Sequence, residues 1–226
     1  MSAQPAPAKP SASVVVLRDG ASGLEVLMLK RNEQIAFHGG AWVFPGGRVD
    51  DGDRASASDS ELDIAKRAAV RETLEETGLD IEPASMAPFA HWTTPVELPK
   101  RFATWFFYAL YGGRDDVRID HSEIVDHRWL APRTALDEHA RGDLTLPAPT
   151  FVTLLGLAEW RGLADARARL GALPIQRFTP RVIKLAGGRC TLYEEDAGYA
   201  NGDFDAPGPR HRLIMREGDW RYVRDF

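Results

Sequence analysis

Arg71-Glu72-Thr73-Leu74-Glu75-Glu76-Thr77-Gly78-Leu79 carries three glutamates within five positions and closes on a glycine. The segment that leads into it, from Ser60 to Thr77, reads as a helix. Ser60 can cap its N-terminus, Asp63 stands three residues on, and Gly78 suits the left-handed residue that follows a last turn. With Glu72 set at 0°, Glu75 falls at about −60° and Glu76 at about +40°. The three carboxylates therefore share one arc about 100° wide. Val70 and Leu74 fall on the opposite side, where they are expected to meet a core. Ala65, Ala68 and Ala69 lie on the carboxylate side and leave it open to approach.

Such a helix is poorly served by its own charges. Glu72 and Glu76 repel at i,i+4. Glu75 and Glu76 stand in the last turn, where the macrodipole disfavours anions. The positions four residues on hold Leu79 and Asp80 rather than bases, and Arg71 reaches Glu75 only in the weaker order. Each effect is about 0.2–0.5 kcal/mol, and all share one sign. A divalent cation reverses every one, and hard carboxylate oxygens suit Mg2+ or Mn2+. A solvated acidic face is the plainer reading of a Glu-rich helix. The upstream sequence weighs against it: Pro45-Gly46-Gly47 stops a short strand at Ala41–Phe44 and leads through a polar loop into the helix. A glycine turn there can bring carbonyls beside the carboxylates and leave N–H groups for phosphate.

Around this centre the chain reads as a mixed α/β protein. Residues 1–11 are rich in Pro, Ala and Ser and are expected to form a disordered tail. Ser13–Arg18 and Leu24–Lys30 read as a hairpin, with further strands at Phe102–Tyr111 and Ile124–Leu130. Helical patterns lie near 132–140, 148–160 and 162–170, and strands return at Arg181–Leu185, Cys190–Tyr193, Arg212–Met215 and Trp220–Val223. Residues 12–145 are assigned to a core and 146–226 to a helical plus β extension packed on it, free to cap a pocket, bind a partner or build a homodimer interface.

With 28 Lys+Arg against 33 Asp+Glu among 226 residues, the net charge of −5 favours neither nucleic acid nor an anionic membrane. Residues 50–80 hold ten acids and four bases, and the rest 23 acids and 24 bases, so the negative balance sits in the proposed cation loop and helix. Lone Cys190 excludes a disulfide framework and a multi-cysteine zinc site. No apolar run reaches the length of a membrane span, and the N-terminus has no secretory h-region; a cytoplasmic protein is expected. Asp50–Glu61 fails as an EF-hand loop, because Gly52, Arg54 and Ala55 occupy its third, fifth and sixth positions. His38, His91 and His121 are read as polar loop histidines.

The segment from Gly47 to Leu79 resembles the signature of the Nudix hydrolases, G-x5-E-x7-R-E-U-x-E-E-x-G-U with U aliphatic. Gly47 fits the first glycine, and Arg71, Glu72, Glu75, Glu76 and Gly78 fit all five fixed positions of the second half. Asp53 stands where the family has Glu, the loop to Arg71 is ten residues longer than usual, and Thr73 replaces an aliphatic. The resemblance implies a Nudix-type α/β/α sandwich with a mixed sheet. It also implies a metal site of Glu72, Glu75, Glu76 and the Gly46 carbonyl, with Arg71 holding the carboxylates in place. A further acid usually comes from a later loop; Glu123 is the first candidate and Glu97 the second.

Residues 27–47, Trp92-Thr93-Thr94-Pro95 and Lys100–Phe107 resemble the branch of that family that includes the peroxisomal coenzyme A diphosphatases. That branch implies metal-dependent hydrolysis of a nucleoside diphosphate linked to another group, with coenzyme A or acyl-CoA preferred. Arg31, Gly47, Lys100, Arg101 and Trp42 are the substrate-binding candidates, with Phe37 and Trp92 as apolar lining. For the aromatics, ordinary core is the competing reading. ADP-ribose, NADH and dinucleoside polyphosphates are the alternative substrates, and a non-catalytic ligand sensor is the alternative class.

Overall fold

β1 (Lys9–Gly20) sends Val14 and Val16 to one face of its sheet and Val15 and Leu17 to the other, and all four are fully buried. This period-two alternation builds two cores on one sheet. We describe a computed structural model, which covers residues 6–226 apart from 36, 114, 115, 120 and 171. Residues 1–5 of the expected tail lie outside the described residues. The tail is shorter than the sequence suggested, because Lys9, Pro10 and Ser11 belong to β1 and pair with Phe102, Ala103 and Thr104. Their low-complexity composition concealed a sheet partner more than ninety residues away.

β2 (Gly23–Arg31) returns antiparallel after a two-residue turn, with Gly20 opposite Gly23. Beyond Leu17 and Val26 the two strands part. The gap is filled by β3 (Trp42–Val43) on β2 and β4 (Gly46–Arg48) on β1, with Phe44-Pro45 bent between them. On the far side of β1 lies β6 (Phe102–Leu110) in parallel, then β5 (Met86–Thr93) antiparallel to it. β7 (Ile124–Leu130) pairs with the outer side of β2. β5 was missed by the sequence reading, since Pro88 and His91 break its apolar pattern; the register slips at Pro88/Ala90, where the proline cannot donate.

One face of this mixed sheet carries α1 (Glu61–Thr77), packed through Ala65, Ala68 and Ala69 against Val14, Val16, Leu27 and Phe107. Ser60 accepts a hydrogen bond from Asp63 N–H at 3.2 Å, and Gly78 ends the helix at φ 70°. The other face carries α2 (Pro132–Ala140), α3 (Ala148–Leu157) and α4 (Leu163–Leu170), with Phe151, Leu154 and Leu157 buried among Val15, Leu17, Val26 and Met28. The arrangement is an α/β/α sandwich.

The C-terminal residues return to this body. β8 (Gln176–Phe178) adds a parallel edge to β5. β9 (Arg181–Leu185), β10 (Gly188–Leu192), β11 (His211–Arg216) and β12 (Asp219–Arg224) form a second antiparallel sheet in the order β12-β11-β10-β9. Leu213 and Met215 seat it on the same core as α3. Beside it, Asp196 and Arg212 form a buried bidentate pair at 2.6 and 2.7 Å.

Candidate active site

α1 presents a different face from the one expected. Leu74 is 48% exposed, whereas Ile64, Ala65, Ala68, Ala69, Thr73, Glu76 and Thr77 are buried. On the helical wheel those seven residues span an arc centred on about +40°, the position of Glu76. Small side chains make the centre of the helix–sheet contact, with Val70 half-buried at its edge and Leu74 turned out, so the helix lies close to the strands and Glu76 is driven into the interface. Thr73 and Thr77 can be buried there because each hydroxyl bonds back to a carbonyl four residues earlier, Ala69 at 2.7 Å and Thr73 at 2.5 Å.

The glycine turn meets Glu76 directly. The Pro45 carbonyl accepts from Val14 N–H at 2.9 Å and Ser13 Oγ at 3.0 Å, which anchors the bend. Gly46 N–H then donates to Glu76 Oε2 at 2.8 Å. This donor, expected to be free for phosphate, is committed to the carboxylate. Gly46 has φ 146°, and a Cβ there would lie 2.3 Å from the Ala12 carbonyl oxygen. A Cβ on Gly47 would instead lie 2.4 Å from Glu72 Cδ. One glycine lets the backbone turn, and the next makes room for a carboxylate.

Arg71 organises the remaining acids. Its Nε and Nη2 donate to Asp53 Oδ1 and Oδ2 at 3.0 and 2.9 Å. Nη2 also reaches the Arg48 carbonyl at 3.0 Å, and Nη1 reaches Glu72 at 2.9 Å and Glu75 at 3.2 Å. All three guanidinium nitrogens are engaged, so the group is held as a rigid fork. Asp53, whose role the sequence left open, is its buried anchor, only 4% exposed. Burial would raise the Asp53 pKa, but the Arg71 hydrogen bonds and the Asp50 N–H hold it below the usual carboxylate value. An acid at the first motif position together with an arginine on the helix was the signal for this contact.

Glu76 is in the opposite condition. Burial pushes its pKa up to about 8, and the Glu72 and Glu123 carboxylates add to this against the Gly46 N–H and Arg31. Burial likewise raises Glu72, opposed by Arg71. The known contacts use one oxygen each of Glu72, Glu75 and Glu76, and no protein partner takes the second oxygen among the described residues. No three such side chains converge on one point among the described residues. The donors fit a hard divalent cation in kind, because each has an unengaged anionic oxygen and two of them are destabilised by burial.

Glu123 is brought to this cluster by its backbone. Asn32 N–H donates to the Glu123 carbonyl at 2.8 Å and Asn32 Nδ2 to the Ser122 carbonyl at 3.0 Å. Arg31 Nη2 lies 3.6 Å from the Glu123 carboxylate. Arg31 and Glu123 stand close enough to Glu76 for their charges to act on it. Glu97 does not: it is exposed, and its charge acts on Tyr199.

The other substrate candidates are placed elsewhere. Trp42 is 5% exposed and belongs to the core on the face opposite α1, so its proposed ligand contact is corrected to a packing role. Alternation decides this: Val43, not Trp42, faces the α1 side. Trp92 is likewise core, stacked on Phe178 at 3.8 Å. Arg101 donates to the Ala6 carbonyl at 2.7 Å and the Thr94 carbonyl at 3.2 Å, tying down the start of the chain. Lys100 is exposed on the same loop, and no contact joins either cation to the glutamates among the described residues.

Nudix hydrolase 7 of Caenorhabditis elegans is 26% identical over 59% of this chain and 56% of its own length. The acyl-coenzyme A diphosphatase NUDT19 of Homo sapiens is 27% identical over 60% of this chain and 37% of its own. The chain thus spans between a third and three-fifths of these two relatives. A crystal structure of a NUDIX hydrolase from Alicyclobacillus acidocaldarius superposes with a TM-score of 0.65 at 23% identity, covering 74% of this chain and 97% of that one. The family described as NUDIX domain matches residues 7–148, from the start of β1 to the start of α3, and this chain belongs to it.

Proposed function

We propose that this protein is a divalent-cation-dependent diphosphatase that cleaves a nucleoside diphosphate linked to another group, with coenzyme A or acyl-CoA as preferred substrate. The observation that carries the reading is the set of three glutamates around Arg71 and the Gly46-Gly47 turn, each with an unengaged oxygen. Hydrolases of this family generally use divalent metal cations. Glu72, Glu75 and Glu76, with the Gly46 carbonyl, would hold Mg2+ or Mn2+ here. Such an ion neutralises diphosphate oxygens and lowers the pKa of a bound water.

The chain's own groups have definable tasks. Arg71 keeps Glu72 and Glu75 from recoiling from one another. Gly46 N–H fixes the Glu76 carboxylate. Glu123, exposed and 3.6 Å from Arg31 Nη2, would take the proton of the attacking water. Gly47 leaves the Glu72 carboxylate accessible. Two monophosphates are the products.

The intact carboxylate set favours turnover over a sensor role, and the resemblance of residues 27–47 and 92–107 to coenzyme A diphosphatases supports the substrate. The test is product analysis over coenzyme A, acyl-CoA, ADP-ribose, NADH and diadenosine polyphosphates with Mg2+ or Mn2+, and Glu76→Gln as control. Release of 3′,5′-ADP from coenzyme A is expected. Faster cleavage of ADP-ribose or NADH excludes the substrate assignment, and activity in Glu76→Gln excludes the site.

A further inference from the structure

β11 and β12 are joined through Glu217-Gly218, with Gly218 at φ 66°. The turn lies against the end of α2: a Cβ on Gly218 would stand 4.0 Å from the Ala140 carbonyl oxygen. Between them is a cavity of about 210 Å³, lined by His139 and Ala140 of α2, Phe151 of α3, and Gly218, Asp219 and Trp220. Trp220 stands opposite Met215, and strand alternation turns both toward the main core. None of the lining residues belongs to the glutamate site, and α2 and α3 pack on the sheet face opposite α1. Pockets for drug-sized ligands run to roughly 300–1,000 Å³, so this cavity takes a chemical group rather than a whole nucleotide.

Three rings wall the cavity at steep angles to one another. His139 and Trp220 have centroids 4.7 Å apart at 84°, Phe151 and Trp220 5.2 Å apart at 62°, and His139 and Phe151 5.4 Å apart at 61°. The His139 ring is fixed, because its Nδ1 lies 3.0 Å from the Leu144 carbonyl, which only accepts, so that nitrogen carries the proton. Rings so inclined form a corner, and a group seated in it lies within the roughly 6 Å of each centroid over which an aromatic face attracts a cation. The fourth side is also electron-rich. Of the last four carbonyls of α2, those of Asp137, Glu138 and His139 accept from Arg141, Asp143 and Gly142 N–H. The Ala140 carbonyl has no such partner among the described residues, and it stands at the negative end of the helix. The lining holds no Lys or Arg; its one charged residue is Asp219, which is paired with Arg221 Nε at 3.1 Å. A primary ammonium would need acceptors for three N–H groups, and one unpaired carbonyl beside an engaged carboxylate does not supply them. A quaternary ammonium has no N–H to satisfy.

We propose that the cavity walled by His139, Phe151 and Trp220 binds a quaternary ammonium group of the choline type, carried by a free small molecule or by a lipid headgroup. The Phe151 and Trp220 rings supply the attraction, His139 closes the third wall, and the Ala140 carbonyl faces the methyl groups that share the positive charge. The site goes beyond the diphosphatase reading and stands or falls without it, because its test is a binding measurement that needs no turnover.

Titration of the full chain with choline and with 3,3-dimethylbutanol, its uncharged carbon analogue, separates charge from shape. Choline is expected to bind about tenfold more tightly, as two ring faces of this kind allow. Trp220→Leu keeps an apolar side chain against the core and removes the ring face. Choline affinity should then fall about tenfold while that of the analogue changes by less than about twofold. Trp220→Phe keeps a ring with a weaker face and should lose about threefold; it carries the test if the leucine variant does not fold. Phosphatidylcholine vesicles distinguish the sources: choline binding without vesicle binding assigns a free small molecule, and binding to both assigns a headgroup. Equal binding of choline and its analogue, no saturable choline binding below about 100 mM, or a choline advantage that a folded Trp220 variant keeps in full overturns the proposal.

Discussion

Asp53→Asn isolates the contact that positions the glutamates of α1. Asp53 Oδ1 accepts from Arg71 Nε, while Oδ2 accepts from Arg71 Nη2 and from Asp50 N–H at 2.8 Å. Asparagine keeps the shape but has one acceptor oxygen. With that oxygen in the Oδ2 place, its amide group faces the Arg71 Nε–H, donor against donor. One charge-assisted hydrogen bond is lost, worth about 1.5–3 kcal/mol, and the others lose their ionic component. Arg71 is 28% exposed, so water recovers part of this loss. A net cost of about 2 kcal/mol follows, which for a chain of this size lowers the melting temperature by roughly 4–8 °C. The effect has a pH signature. Asp53 titrates lower in the folded protein than in the unfolded chain, so its contribution is complete above the unfolded value of 3.8 and is lost as pH falls through the folded value. Thermal melts of wild type and variant should therefore differ at pH 7 and converge in acid. Hydrolysis should fall as well, since Glu72 and Glu75 lose their fixed partner. A gap in stability below about 0.5 kcal/mol at pH 7, within the range of an ordinary surface change, would refute the anchoring argument, as would a gap that widens in acid.

The neighbouring glycines should fail in different ways. Gly46→Ala meets backbone and a φ that favours glycine, so the folded protein should lose about 3 kcal/mol or more, read by denaturant melts. Gly47→Ala meets only the movable end of Glu72, so the fold should survive while metal-dependent hydrolysis drops tenfold or more, on the scale of about 1.4 kcal/mol per decade. Glu76→Gln should abolish hydrolysis. In chelator it should also be more stable than wild type at pH 9, because a folded-state pKa of about 8 against 4.5 makes the wild type lose stability as pH rises between them; melts at pH 5 and pH 9 check the sign. Asp196→Ala strips Arg212 of its buried partner and should cost about 3–5 kcal/mol, seen as a lower denaturation midpoint.

Helix α1 was legible because its signals are local. Ser60, Asp63 and Gly78 act within one turn of the helix ends, and the glutamate spacing follows from 3.6 residues per turn. Which side of the helix is buried was not legible from that spacing. Counting apolar residues pointed to Val70 and Leu74, but the sheet accepts the alanine face, since only small side chains allow the close approach that places Glu76 against Gly46. β8 went unrecognised for a related reason: three residues hold no period, and its partner β5 was itself hidden by Pro88. Trp42 shows the limit of motif transfer, since one step of strand register moves a side chain from the catalytic face to the opposite core.

The parallel pairing of β8 with β5 has a practical consequence for anyone dividing this chain. A protein cut after residue 148, where the family match ends, would keep the glutamates, Arg71 and both glycines. It would also strip β5 of its edge partner and remove Phe151, Leu154, Leu157 and Phe178 from the core that they share with Val15 and Met28. The bare strand and the opened apolar face are both templates for association. Such a fragment should be recovered as aggregate, which would be easily mistaken for an inactive enzyme.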